Sequence, residues 1–179
     1  MAKKMGFKHL LFVAIGFVLP STLLAAPHSK VYQVHPGKVL SAIQSGVIIG
    51  GRSNDEFSLL NVKLTKTKKG ERIYFVYGDR FGKPLIGPTG FFHMNLDQSG
   101  HRLVLDLAQL NRTAVDPEQL KAIMKSSSLV LASDMTMDPQ DGSTNVVLQF
   151  KESIDLSAAV HQKKSSQIVL ELIPRGDKK

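Results

Sequence analysis

The stretch SGHRLVLDL, Ser99 to Leu107, decides the fold. Leu103, Leu105 and Leu107 alternate with Arg102, Val104 and Asp106. Successive side chains of a strand point to opposite faces, so this pattern buries the leucines and turns an arginine and an aspartate outward. A second stretch, SSQIVLEL from Ser165 to Leu172, has the same form. It opens on a polar turn, alternates aliphatics, and carries Glu171 where the first carries Asp106. RIYFVY (Arg72 to Tyr77) parallels NVVLQF (Asn145 to Phe150) in the same way.

The same reading extends outward from these four segments. Strands are expected over 57–65, 72–77, 91–96 and 101–107, then over 129–137, 145–150, 154–162 and 167–173. Turn clusters separate them: Lys66 to Gly70, Gly78 to Gly90, Asp97 to Gly100 and Asp138 to Gly142. One helix is expected between the two sets of four. Asp116, Pro117 and Gln119 read as N-cap, first helical position and capping-box partner, and Leu120, Ile123 and Met124 share a face. Regularly spaced, half-buried strands indicate an all-β sandwich. The internal repeat implies two similar, mostly four-stranded sheets with one short helix between the halves. Residues 26–55 read as an N-terminal extension, with Val39, Leu40 and Ile43 at helical spacing and a short strand over Val47 to Ile49. The sandwich occupies 56–174, and 175–179 is a flexible tail.

The first 25 residues have another purpose. Lys3, Lys4 and Lys8 precede an apolar run from Leu10 to Leu24, which leads to Ala25-Ala26. This is the architecture of a secretory signal peptide, with cleavage expected near Ala25. The run of about 15 residues is short for a span of roughly 20, although a retained anchor is the alternative reading. Export implies a periplasmic protein that meets the membrane only through this segment. The chain of 179 residues has 23 Lys and Arg against 15 acids, a net +8, and losing three lysines with the leader leaves +5. The remaining lysines are scattered through turns, which is no footprint for nucleic acid. The absence of cysteine excludes disulfides and Cys-ligated metal.

The order of three strands, RLVLDL, a connecting segment, and a second set ending QIVLEL resembles the AMIN domain. That domain is named from periplasmic N-acetylmuramoyl-alanine amidases and also occurs in type IV pilus secretins. The resemblance covers about Phe57 to Pro174, two-thirds of the chain. It implies a β-sandwich that binds peptidoglycan and positions other machinery on it, with an outer-membrane secretin or a cell-wall hydrolase as partner. Carried over by position, Arg102 and Asp106 are the polar pair of the first half. In the second half Glu171 keeps the acid, but Ile168 stands at the arginine position.

No catalytic constellation is read from the residues, and no cofactor is expected. The five histidines after the leader (His28, His35, His93, His101 and His161) lack the spacing of a His-Glu-x-x-His helix. There is no Gly-x-Ser-x-Gly elbow. An enzyme reading would have to assemble His93, His101 and Asp106 from adjacent strands. The expected function is therefore non-catalytic binding of peptidoglycan through Arg102 and Asp106, joined by Arg72 if its strand is adjacent, with Glu171 in the second half. Carboxylates on the peptide stems suit an arginine fork, and hydroxyls and amides suit an aspartate. The alternative is a protein-binding scaffold component of a secretin, pilus or other envelope complex, using an exposed sheet edge.

Overall fold

The computed structural model describes residues 29–53, 56–138, 140, 142–162 and 165–176. The leader read over residues 1–25 lies outside them. In chain order the elements are β1 (Val31–Val34), β2 (Val39–Ile43), β3 (Gly46–Gly50), β4 (Phe57–Lys66), β5 (Glu71–Asp79), β6 (Phe92–Leu96), β7 (Arg102–Leu107), β8 (Leu110–Thr113), α1 (Pro117–Lys125), β9 (Val130–Met137), β10 (Thr144–Phe150), β11 (Ile154–His161) and β12 (Gln167–Pro174). They build two mixed six-stranded sheets. Sheet I has the order β1-β3-β6-β7-β10-β9, and sheet II has β2-β11-β12-β5-β4-β8.

The sheets have six strands where four were expected. The additions come from two places that lack a clean period of two. Residues 31–50, read as an extension, supply β1 and β3 to sheet I and β2 to sheet II. The helix-like spacing of Val39, Leu40 and Ile43 belongs to a strand. A register shift between the partners Leu156 and Ala158 places one extra residue in β2, and this brings Leu40 and Ile43 to one face. The polar segment Leu110–Thr113 forms β8, which follows Gln109 in a left-handed conformation (φ 58°) and pairs in parallel with β4.

Each half of the repeat is divided between the sheets. The β6–β7 hairpin lies in sheet I and β4–β5 in sheet II, whereas β9–β10 lies in sheet I and β11–β12 in sheet II. Exchanging the halves converts the run β6-β7-β10-β9 into β11-β12-β5-β4, so each sheet's centre is the repeat image of the other. The register agrees residue by residue. Asp106 faces Asn145 where Glu171 faces Arg72, and Leu107 faces Thr144 where Leu172 faces Glu71. The irregularity also repeats: Leu60 in β4 and Leu131 in β9 are skipped at equivalent points.

The inward residues form one core. Leu103, Leu105 and Leu107 of sheet I meet Ile73, Phe75, Ile168, Leu170 and Leu172 of sheet II, all buried. Burial of one such side chain stabilises the fold by about 1.5–3 kcal/mol. α1 is too short to persist alone. Its capping box is complete, with Asp116 accepting from the Gln119 amide at 2.7 Å and Gln119 returning the bond at 3.1 Å. Leu120 and Met124 insert into the core, so the helix packs against β9 and β4 and closes that side of the sandwich.

One charged side chain lies inside. Glu71 is 1% exposed. Its carboxylate accepts from the Ser127 hydroxyl, from the Ser128 amide at 2.7 Å and from the Ser128 hydroxyl at 2.9 Å. Ser127 in turn accepts from the amides of Leu129 and Val130 at 3.0 and 2.8 Å. The network ties the exit of α1 in the second half to β5 in the first. Burial pushes the Glu71 carboxyl up, but the donors from Ser127, Ser128 and Leu129 outweigh it and hold the group below 4.5.

Two outcomes follow for stability. A folded-state pKa below 4.5 stabilises the fold fully above that pH, and the contribution disappears as pH falls through the lower folded value. Denaturant titrations should therefore show wild type losing stability below pH 4.5. Glu71→Gln should lose about 1.5–3 kcal/mol at pH 7 and depend less on acid, because it leaves donors unmatched. Tyr77→Phe should behave differently. The Tyr77 hydroxyl is fully buried with no hydrogen-bond partner among the described residues, and its repeat equivalent is Phe150. Its removal should change stability by less than about 1 kcal/mol.

Candidate functional site

The turn after β6 sets the direction of the first expected site residue. Asp97 accepts from the Ser99 hydroxyl at 2.7 Å, from the His101 amide at 2.9 Å and from the Arg102 amide at 3.2 Å. Arg102 therefore enters β7 from a braced turn. Two residues on, Val104 shares its outward face, and Asp106 follows at about 13 Å along the strand. Arg102 is exposed and Asp106 is half-buried. Asp106 keeps an electrostatic link through the sandwich. Burial raises the Tyr77 phenol far above its ordinary value, and the charge of Asp106 adds to the rise.

Arg72 does not join this pair. It lies on β5 in sheet II, and it faces outward on the opposite side of the sandwich. Glu171 is its direct cross-strand partner, and Arg72 Nη2 donates to Glu171 Oε1 at 3.1 Å. Tyr74 raises the Arg72 guanidinium further above its usual value; burial lowers it, and Glu171 raises it again. The four residues thus divide into an ion pair on sheet II and a separated arginine and aspartate on sheet I. The register between β5 and β12 lay beyond the reach of sequence periodicity.

The outward face of sheet I sets His93 and Asp106 among residues that sequence reasoning did not assign to a site. Ile49, His93, Asp106, Asn145 and Thr136 form one continuous cross-strand row. The next row is Val31, Val47, Asn95, Val104, Val147 and Asp134. Gln149 stands beside Arg102. Amides, two carboxylates, an imidazole and a guanidinium therefore surround the half-buried Val47, Val104 and Val147. Only the outward positions of β6 and β10, read together with the register, could have revealed this face.

The candidate enzyme constellation is dispersed. His93 is opposite Asp106 on sheet I. His101 stands in the turn, with its Nε2 3.1 Å from the Ser153 hydroxyl and its Nδ1 3.4 Å from the Phe150 carbonyl. Among the described residues no group of three His, Asp or Glu side chains is placed to hold a metal ion. The aromatics are mostly internal. Tyr77 and Phe92 are core residues, and Phe57 meets Tyr77 edge-on at 6.1 Å. Arg175, read as part of a free tail, is anchored by Asp155 at 2.6 Å and by the Gln44 carbonyl.

A second feature lies on the side of the sandwich opposite α1. There the sheets end in β1 and β2, each an edge strand. Between them is a groove of about 960 Å³, lined by β1, β2, the turn into β3, and residues 95–98 at the end of β6. Gly46 shapes its floor. Its φ is +126°, and a Cβ there would lie 2.6 Å from the Lys30 carbonyl oxygen.

No protein-family model matches the chain, and no curated protein or solved structure matches it. No described helix is long and apolar enough to cross a membrane.

The brace beneath Arg102 has a direct readout. Burial raises the Asp97 carboxyl, but Ser99 and the amides of Arg102, His101 and Gly100 hold it below 3.8. The brace therefore persists above pH 3.8 and is lost as pH falls through the depressed value. An NMR titration of the Asp97 carboxyl carbon should give a midpoint under 3.8, and the Arg102 amide should move with it. A midpoint at or above 3.8 contradicts the assignment.

Proposed function

We propose that this chain is an exported, non-catalytic module of the periplasm that binds peptidoglycan and holds a partner, such as an outer-membrane secretin or a cell-wall hydrolase, beside it. The observation that carries the reading is the outward face of sheet I. Arg102, Asp106, His93, Asn95, Asn145 and Gln149 share that face around the half-buried valines. Peptidoglycan offers the matching groups: stem carboxylates for an arginine, N-acetyl and peptide amides for asparagine and glutamine, and hydroxyl donors for an aspartate. Methyl groups of the stems and N-acetyls suit the valines. The resemblance of RLVLDL and QIVLEL to the AMIN domain supports the same assignment.

The two sheets have different roles in this proposal. On sheet II the Arg72–Glu171 pair spends its charges on each other, which leaves the unmatched arginine on sheet I as the carboxylate ligand. An exposed cross-strand pair contributes only about 0.2–1 kcal/mol to stability. In this proposal Arg72 is engaged by Glu171, and the carboxylate ligand is Arg102.

Sedimentation with purified sacculi tests this division. The mature protein should co-sediment, more weakly as salt rises. Arg102→Ala should weaken binding by about 1.5–3 kcal/mol, the range for a hydrogen bond to a charged group. Arg72→Ala should sediment like wild type. Equal losses from both substitutions would reject the sheet I site, and a wild type that stays in the supernatant would reject peptidoglycan as ligand.

A further inference from the structure

The two sides of the sandwich are treated differently by the chain itself. On the β9–β4 side, α1 inserts Leu120 and Met124, and β8 adds in parallel to the edge of β4. The fold therefore already accepts an added strand at one of its edges. On the other side, β1 and β2 are the outermost strands of their sheets among the described residues, and the groove of about 960 Å³ separates them. An edge strand presents a row of backbone donors and acceptors. Edges are commonly blunted by lysines or prolines within the strand, and VYQV and VLSAI contain neither.

The groove also has a side-chain character. Tyr32, Leu40 and Ile43 line it and pack against or within the core. Val31 and Val39, by contrast, are 64% and 69% exposed. Charges at the rim are unequal: Lys30 and Lys38 stand against Asp97, whose carboxylate is already engaged by its own turn. Backbone edges favour an extended peptide, apolar positions favour alternating apolar side chains, and two lysines favour an acidic segment.

We propose that this groove is the docking site for an extended, acidic segment of a partner protein, which adds as a strand to the open edge of β2. Apolar residues at every second position of that segment rest on Leu40, Ile43 and Tyr32, and its carboxylates meet Lys30 and Lys38. The site borders the outward face of sheet I at Asn95 but uses neither Arg102 nor Asp106, and it stands whether or not that face binds peptidoglycan. It supplies the surface by which a wall-bound module could hold another protein.

Selection of a phage-displayed library of random linear peptides on the mature protein tests the proposal. Enriched peptides should be acidic, with apolar residues at alternate positions. In NMR titrations the selected peptide should shift the amides of residues 31–43. N-methylation of its alternate amides in one phase should abolish binding, and in the other phase leave it intact. The double variant Lys30→Glu, Lys38→Glu changes only surface side chains and should lose roughly tenfold or more in affinity. The same variant should still sediment with sacculi, which separates this site from the glycan-binding face. Failure to enrich peptides, shifts that map elsewhere, or indifference to N-methylation would overturn the proposal. A concentration-dependent dimer that occupies β2 in sedimentation velocity would replace the partner segment by a second copy of the chain.

Discussion

The pairing of β12 with β5, and of β10 with β7, is what the remainder of the molecule leans on. Each pairing joins strands from different halves of the repeat. Neither half has a complete sheet of its own, because its two hairpins lie in different sheets. The leucine layer between the sheets therefore forms only when both halves are present. Such non-local pairing places closure entropy ahead of reward, so slow folding is the expected cost of this topology. The Glu71 network serves the same join. It fastens the segment after α1 to β5 at the point where the second half re-enters the sandwich.

Charge is managed by position. Glu71 is internal, and it remains charged because hydroxyls and an amide replace the water it gave up. Arg72, its neighbour, faces outward and meets Glu171 across the strands. The equivalent positions on sheet I are Asn145 and Asp106. The repeat therefore preserves a polar cross-strand pair but changes its net charge: one sheet closes an ion pair, and the other keeps an acid beside an amide. That difference makes the two outward faces chemically unequal although their strand order is equivalent.

The two sides of the sandwich differ for a similar reason. The connection between the halves is long enough to include β8 and α1, and these fill one side. The other side is bounded by β1 and β2, which precede the repeat in the chain. The asymmetry comes from where the chain has residues to spare: exchanging the halves maps β6 onto β11 and β9 onto β4, so the repeat relates the two sheets at each side but does not relate one side to the other.

The local pattern determined the eight repeat strands, the helix and its capping box. In each, one face is buried and the period is visible: Leu103, Leu105 and Leu107, or Leu120 and Met124. It also determined that Arg102 and Asp106 share a face, because that follows from strand geometry alone. It did not reveal β2, whose extra residue shifts Leu40 and Ile43 to helix-like spacing, or β8, whose polar sequence pairs only because Gln109 turns it toward β4. Sheet membership was decided by tertiary structure. Alternation says that Arg72 and Arg102 both face outward, but not that they face opposite sides of the molecule. The groove between β1 and β2 belongs to the same class: it exists only because two strands adjacent in the chain end in different sheets. A period of two reports which side of a strand is buried, and strand neighbours are chosen by packing of the whole core.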